Sequence, residues 1–335
     1  MRPVLAVVPL AWCACVHGHA VLQPVPGGPA VGLAKLAPVD PVTKQALAAL
    51  VFYPTPSPRE GGFTEFGPYR LEAEAGVPLT DGKHPLVLIS HGHLGSRFGH
   101  HDLAESLARA GYVVATVQHA GDSFDDRSAV GTDRMMLGRA YQLSALLDAV
   151  LADPTFAPHV DPDRIGVAGF SAGGYTSLLV VGARPDFSRV TGYCQRHPGD
   201  DEICGLEELK HTLTEVKPTA DRRIKAAFAM APLGIFFGPG SFDAVSAPVF
   251  LAYGDRDRVL LPDENADRVR AEAKTLVETQ VVPGADHWVF LAPCSRALAD
   301  EAPMICSDPD GVDRVKVHRE LAEAARAFFD RTLAH

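Results

Sequence analysis

Residues 163–183, DRIGVAGFSAGGYTSLLVVGA, restrict the fold more than any other stretch of the chain. DRIGVAGF has the length and apolar content of a buried strand, and SAGGYTSLLVVGA reads as a helix that begins immediately after it. Between them Gly169-Phe170-Ser171-Ala172-Gly173 spells G-x-S-x-G. In a strand-turn-helix setting this pattern puts a serine on a sharp, strained turn at the strand end. The two glycines leave room where side chains would collide with the neighbouring strand and helix. The helix start behind Ser171 offers unpaired amides and a positive dipole end to a developing negative charge.

The rest of the chain fits around such a unit. LVLIS (86–90) and YVVATVQ (112–118) are short apolar runs expected as buried strands, separated by the amphipathic HHDLAESLARAG (100–111), which ends at glycine as helices do. RMMLGRAYQLSALLDAVLAD (134–153) predicts a long helix. IKAAFAMAP (224–232), PVFLAYG (248–254) and TLVETQVVPG (275–284) predict further strands, and VKVHRELAEAARAFFDRTLA (315–334) a closing amphipathic helix. Strands alternating with helices imply an α/β fold with a mainly parallel central sheet and helices on both faces. An early strand is expected in QALAALVFYP (45–54), with loop and edge strand from Thr55 to His84, and VLQPVPGGPAVG (21–32) reads as a loosely held arm. Residues 186–223 interrupt the alternation and carry many charges. They are expected as a cap-like insertion over the C-terminal strand ends, where open α/β sheets bind ligands.

A nucleophilic serine needs a base, and the base an orienting acid, in the chain order serine, acid, histidine for this fold. After strand 248–254 comes GDRDRVLLP, which holds Asp255 and Asp257. The reach from the strand end favours Asp257, with Asp255 as the alternative. After strand 275–284 comes Gly-Ala-Asp-His, and His287 is the only histidine between residues 212 and 317. His318 falls inside the last helix and is not suited to the role.

SHGHLGSRFGHHD (90–102) contains His91, His93, His100 and His101, a density that invites a metal reading. Its place after strand 86–90 gives another. This is the strand-to-helix loop from which a second oxyanion amide must come, with the backbone N–H of His93 the first candidate, that of Leu94 the alternative, and the N–H of Ala172 the partner. His100 and His101 are adjacent and point about 100° apart on a helix, so they do not converge with the loop histidines. No metal and no cofactor is expected. Two other classes stay open: a metal-dependent hydrolase using His91 and His93, and a non-catalytic binding protein of the same fold. Leu94, Met230, Ala231, Pro232, Trp288 and Phe290 are candidates for the substrate pocket.

The 335 residues are 47% apolar with a net charge of −10, enough for a sizeable core and without the basic stripe that nucleic acid or an anionic membrane would require. MRPVLAVVPLAWCACVHGHA (1–20) has the three-part form of a secretory signal, too short to span a bilayer, so residues 21–335 are expected as one exported α/β domain, periplasmic or secreted. Outside that segment four of the six cysteines remain, and proximity pairs Cys194 with Cys204 and Cys294 with Cys306.

LVLISHGHLGSR, GYVVATVQHAGD, GVAGFSAGGYTSL, YGDRDRVLLPDENA and GADHWVFLAPCS together resemble the dienelactone-hydrolase-like bacterial esterases related to plasma-type platelet-activating-factor acetylhydrolases, across roughly residues 45–330. The resemblance extends to the tyrosine-proline of VFYPT and the cysteines around FLAPC and MICSD. It implies an α/β-hydrolase fold, no metal, Ser171 as nucleophile, Asp257 as acid, His287 as base, and oxyanion donors at His93 and Ala172. Small-molecule or lipid-like esters are the implied substrates: short-acyl esters, phospholipid acyl chains, phthalates or polyesters. True dienelactone hydrolases use a cysteine nucleophile where this chain has serine, which puts that particular activity in doubt. The sequence carries no signal for oligomeric state.

Overall fold

The computed structural model describes residues 30–58, 63–217 and 219–334. The expected signal segment, residues 1–20, lies outside them. In chain order the strands are β1 (Val31–Leu36), β2 (Ala49–Pro54), β3 (Thr64–Phe66), β4 (Tyr69–Leu71), β5 (Glu74–Ala75), β6 (His84–Ser90), β7 (Val113–Val117), β8 (Val160–Phe170), β9 (Ile224–Met230), β10 (Val249–Gly254) and β11 (Leu276–Val282). The helices are α1 (His101–Arg109), α2 (Asp133–Ala152), α3 (Ala172–Val180), α4 (Arg189–Arg196), α5 (Asp201–Cys204), α6 (Ala266–Glu272), α7 (Arg296–Glu301), α8 (Pro303–Cys306) and α9 (Arg314–Thr332).

Among the described residues nine strands form one sheet in the order β11-β10-β9-β8-β6-β7-β2-β1-β5, and β3 and β4 form a separate hairpin. From β11 to β7 every neighbouring pair is parallel, and β2 joins antiparallel to both β7 and β1. The result is the mainly parallel α/β sheet that the alternation of elements implied.

The apolar runs are continuous because both faces of the central strands are covered. Along β6, Leu86 and Leu88 enter the core shared with α2 and α3, whereas Val87 and Ile89 enter the core shared with α1 and α9. Side chains alternate across a strand, so each run feeds two cores at once. Fully burying one such residue contributes about 1.5–3 kcal/mol. The helices start and stop at chemical signals: Thr132 Oγ1 caps α2 by accepting the Met135 N–H, Asp313 caps α9 through Lys316, and α1 gives way to Gly111 at φ 96°.

One expectation needs correction. The segment read as a loose arm ends in an ordered strand: β1 begins at Val31 and pairs with β2 from Val31↔Pro54 to Leu36↔Ala49. Its proline- and glycine-rich flank hid a strand whose partner is supplied from further along the chain. The stretch from Thr55 to His84 is the expected loop and edge strand: β5 lies at the edge of the main sheet beside β1, and β3 and β4 add a small separate hairpin. Short helices α6, α7 and α8 were also not foreseen, being too brief for a periodic signal.

Both expected disulfides are present. Cys194–Cys204 links α4 to α5 with Cα atoms 5.6 Å apart, and Cys294–Cys306 closes the loop after β11 with Cα atoms 5.8 Å apart. Closing loops of this size removes about 3 kcal/mol of chain entropy from the unfolded state in the entropic model. Such bonds fit an oxidising compartment. Among the described residues no helix is long and apolar enough to cross a membrane.

Candidate active site

Ser171 stands between β8 and α3 with φ 57° and ψ −119°, a conformation that costs a non-glycine residue of the order of 1–3 kcal/mol. The surroundings hold it there. Its N–H donates to the Met230 carbonyl at 2.9 Å, and its carbonyl accepts from Tyr175 N at 3.0 Å and Leu233 N at 3.2 Å. The glycines of the motif are fixed by space. A Cβ on Gly169 would lie 2.0 Å from the Gly173 carbonyl oxygen, and one on Gly173 would lie 2.0 Å from the Ser90 carbonyl oxygen. The turn is therefore pressed directly against the end of β6.

Asp257 and His287 meet at the ends of the next strands. Asp257 Oδ2 is 2.6 Å from His287 Nδ1, with both side chains buried. The other carboxylate oxygen accepts the N–H groups of Val259 at 2.9 Å and Leu260 at 2.7 Å, so the acid is fixed by its own loop. His287 opens a 3-10 turn, His287–Phe290, and its imidazole lies 4.7 Å, centroid to centroid, from the ring of Phe170, the residue before Ser171. Asp255 does something else: its carboxylate accepts the Gly284 N–H at 2.6 Å and ties the end of β10 to the turn after β11. Asp286, not singled out from the sequence, accepts the N–H groups of His287 at 2.8 Å and Arg258 at 3.0 Å and pairs with the Arg258 guanidinium. It joins the acid loop to the histidine loop. Behind the turn, His318 Nε2 lies 2.8 Å from the Val289 carbonyl and Nδ1 lies 2.5 Å from Asp102, which anchors the turn to α9 and α1.

The loop after β6 distributes its histidines among separate partners. His91 Nδ1 is 2.7 Å from the Gly92 carbonyl, and Nε2 accepts the His119 N–H at 3.0 Å. This pattern belongs to a neutral imidazole with its proton on Nδ1, and burial, with the Arg139 charge adding, pushes the His91 pKa down to about 3. His93 Nδ1 lies 2.6 Å from Asp122. His100 is buried with its ring 5.5 Å from that of Phe170, and burial pushes its pKa down to about 4. His101 pairs with Glu105 one turn along α1. Crowding in sequence thus reflects four side chains doing four different things.

Gly92 packs against the serine turn: a Cβ there would lie 3.0 Å from the Phe170 ring and 3.4 Å from Ser171 Cβ. The Leu94 N–H, the alternative oxyanion donor, is already given to Asp122 at 3.0 Å. Among the described residues no hydrogen bond takes up the N–H of His93 or of Ala172.

The pocket candidates separate. Leu94 and Trp288 are partly exposed, with the Trp288 ring 5.2 Å from that of His287. Met230, expected as a pocket residue, is 1% exposed and belongs to the core, and it touches the site through its backbone carbonyl. Ala231 and Phe290 are buried in the same core. The segment 186–223 carries α4, α5 and a 3-10 turn, and Glu202 on α5 reaches within 4.0 Å of His93 Nε2. Arg196 and His197 from the same segment pair with Glu264, which follows the Asp257 loop.

Comparison with known proteins agrees with this fold. A family model described as the dienelactone hydrolase family matches residues 71–230. Among curated relatives, "Putative esterase NocK" of Nocardia uniformis subsp. tsuyamanensis is 28% identical over 178 residues, covering 51% of this chain and 46% of that protein. Lipase 1 of Moraxella sp. (strain TA144) is 36% identical over 78 residues, covering 23% of this chain and 21% of the lipase. The chain therefore spans less than half the length of these relatives. A solved ferulic acid esterase from Streptomyces cinnamoneus superposes with a TM-score of 0.63 at 22% identity, covering 92% of both chains, which speaks for a common fold. With the strand order, the serine turn and these matches together, the chain has an α/β-hydrolase fold and is similar over residues 71–230 to the dienelactone hydrolase family.

Proposed function

We propose that the chain hydrolyses carboxylic esters through Ser171, His287 and Asp257 by way of an acyl-enzyme. The observations that carry this reading are the strained Ser171 at the head of α3 and a His287 whose Nδ1 is held 2.6 Å from Asp257 and whose ring lies 4.7 Å from that of Phe170, the residue before Ser171. A buried carboxylate there keeps the proton on Nδ1 and leaves Nε2 free to act as a base. His287 takes the Ser171 proton as the oxygen bonds to the ester carbonyl carbon. The resulting oxyanion is received by the N–H groups of Ala172 and His93, an effect worth several kcal/mol. Collapse expels the alcohol, protonated by His287. Water, activated by the same imidazole, then attacks the acyl-enzyme and releases the acid.

Small-molecule or lipid-like esters are the substrates this reading implies, with Leu94 and Trp288 at the mouth and residues 186–223 as a cap. Export to the periplasm or outside the cell, with residues 1–20 as signal, is part of the same proposal, and the two disulfides support it. The test is hydrolysis of p-nitrophenyl acetate, butyrate and octanoate by the purified protein, Ser171→Ala and a chelator-treated sample. Turnover that ignores the chelator and falls at least about a thousandfold in Ser171→Ala is expected. Retained activity in that variant would overturn the assignment, and loss on chelation restored by zinc would move it to a metal-dependent hydrolase.

A further inference from the structure

The reaction above uses one face of the loop 91–95; the other face rests on a buried ion pair that the reaction leaves unused. Asp122, from the loop after β7, and Arg139, from the middle of α2, form a salt bridge with both side chains almost completely buried. Each also grips the loop. Arg139 donates to the His91 carbonyl and lies 3.4 Å from Ser90 Oγ at the end of β6. Asp122 accepts the Leu94 N–H at 3.0 Å and lies 2.6 Å from His93 Nδ1. Leu94 is one of the few non-glycine residues at positive φ, 51°, and the bond to Asp122 holds that turn.

The backbone consequence is specific. The carbonyl of residue 91 and the N–H of residue 94 are both drawn to the ion pair. The imidazole of His93 is drawn to it as well. Among the described residues no hydrogen bond claims the N–H of His93, and Gly92 beside it packs against Phe170 and Ser171. Asp122 is itself fixed, its N–H donating to the His119 carbonyl at 3.2 Å. His119 in turn contacts Ser90 Oγ at 2.8 Å and Gln142 at 2.8 Å, so the clamp is built into β6, β7 and α2 together.

A buried ion pair is an expensive way to hold a fold, because desolvating both charges consumes most of their attraction. Aimed at a loop whose amides must not reorganise during reaction, it does something apolar packing cannot: it orients individual peptide groups. We propose that Asp122, locked by Arg139, is the positioning residue of the oxyanion loop, setting the His93 N–H toward the Ser171 reaction centre. This rests on the reading of Ser171 as the nucleophile. Asp122 touches no substrate; it acts through residues 93 and 94.

The experiment compares the full chain with Asp122→Ala, Asp122→Asn and Ser171→Ala, using p-nitrophenyl butyrate for kcat and KM and a trifluoromethyl ketone of the same acyl length as a tetrahedral mimic. Near-UV circular dichroism and thermal unfolding check that each protein is folded. Asp122→Ala is expected to lose about 100-fold in kcat with KM changed less than about threefold, as when an oxyanion donor is lost. The inhibition constant for the ketone rises in step with the loss in kcat/KM. Asp122→Asn keeps an oxygen for the Leu94 N–H and falls between wild type and Asp122→Ala, and being isosteric it carries the test if the alanine variant does not fold. A folded variant with unchanged kcat, or a loss of kcat with no weakening of the ketone, overturns the proposal. If wild type turns over and Ser171→Ala does not, such a result defeats the positioning role alone. If wild type and Ser171→Ala are equally inert, the nucleophile reading falls and this proposal with it.

Discussion

Gly173→Ala adds one carbon to the most crowded point of the serine turn. The new Cβ would lie 2.0 Å from the Ser90 carbonyl oxygen and 2.6 Å from that of His91. Ordinary contact begins near 3.4 Å, so the first turn of α3 and the end of β6 must separate by more than 1 Å. Neither side can yield by rotating a side chain, because the obstructing atoms are backbone, and Ser90 pairs with Gly169 and Val117 inside the sheet. Alanine is the better helix former by about 1 kcal/mol, which works in the substitution's favour. Overpacking against rigid neighbours costs about 1–3 kcal/mol and more where nothing relaxes, so the net change is a loss of about 2–3 kcal/mol. For a chain of this size that lowers Tm by about 3–4 °C. Activity falls further, since a shift of about 1 Å in a reacting group costs about 100-fold. The assay pairs thermal unfolding with p-nitrophenyl butyrate turnover. Gly199→Ala, where an added Cβ meets nothing within 4 Å, serves as the control and should leave both unchanged. Wild-type Tm and activity in Gly173→Ala would refute the steric argument.

The two loop aspartates should behave differently: Asp257→Asn loses about 10⁴-fold in kcat by favouring the wrong histidine tautomer, whereas Asp255→Asn, which holds only the Gly284 N–H, loses less than about tenfold. Steady-state kinetics on the same ester decides it, and equal losses would dissolve the distinction. Stability should fall on acidification, because His91, His100 and His119 are buried with pKa values pushed to about 3, about 4 and well below the usual value. Unfolded, each takes up a proton near pH 6.5, so each contributes stability above that pH and loses up to about 1.4 kcal/mol per pH unit below it. Burial alone would raise the Asp122 pKa, but Arg139 and His93 hold it well below the carboxylate range, which adds a second loss once the pH drops under about 4. Urea midpoints measured from pH 7.5 to 4.5 should decline steadily below 6.5; a flat profile would contradict the buried, neutral state of these imidazoles.

Much of the fold was legible because its signals are local. Strands such as LVLIS and YVVATVQ announce themselves as unbroken apolar runs, since the central strands must satisfy two cores, and G-x-S-x-G announces a turn with no room for Cβ atoms. The order of Ser171, Asp257 and His287 along the chain follows from strands delivering their loops to one sheet edge. Sequence spacing also separated His318 from the site, and α9 does bury it behind the histidine turn. β1 was missed because its flank carries breaking residues and its pairing comes from a strand further on.

Sequence alone therefore determined the central strands and long helices, their alternation and the residue types at three strand ends. Tertiary structure decided everything that depends on what lies across a contact. It put Asp257 rather than Asp255 against His287, turned Met230 into the core, and gave the side chains of four neighbouring histidines separate partners. Above all it brought Asp122 and Arg139 together behind the 91–95 loop. Asp122 ends the quoted stretch GYVVATVQHAGD, but nothing local marks its pairing with Arg139, because a buried ion pair is set by the packing of α2 against the strand ends.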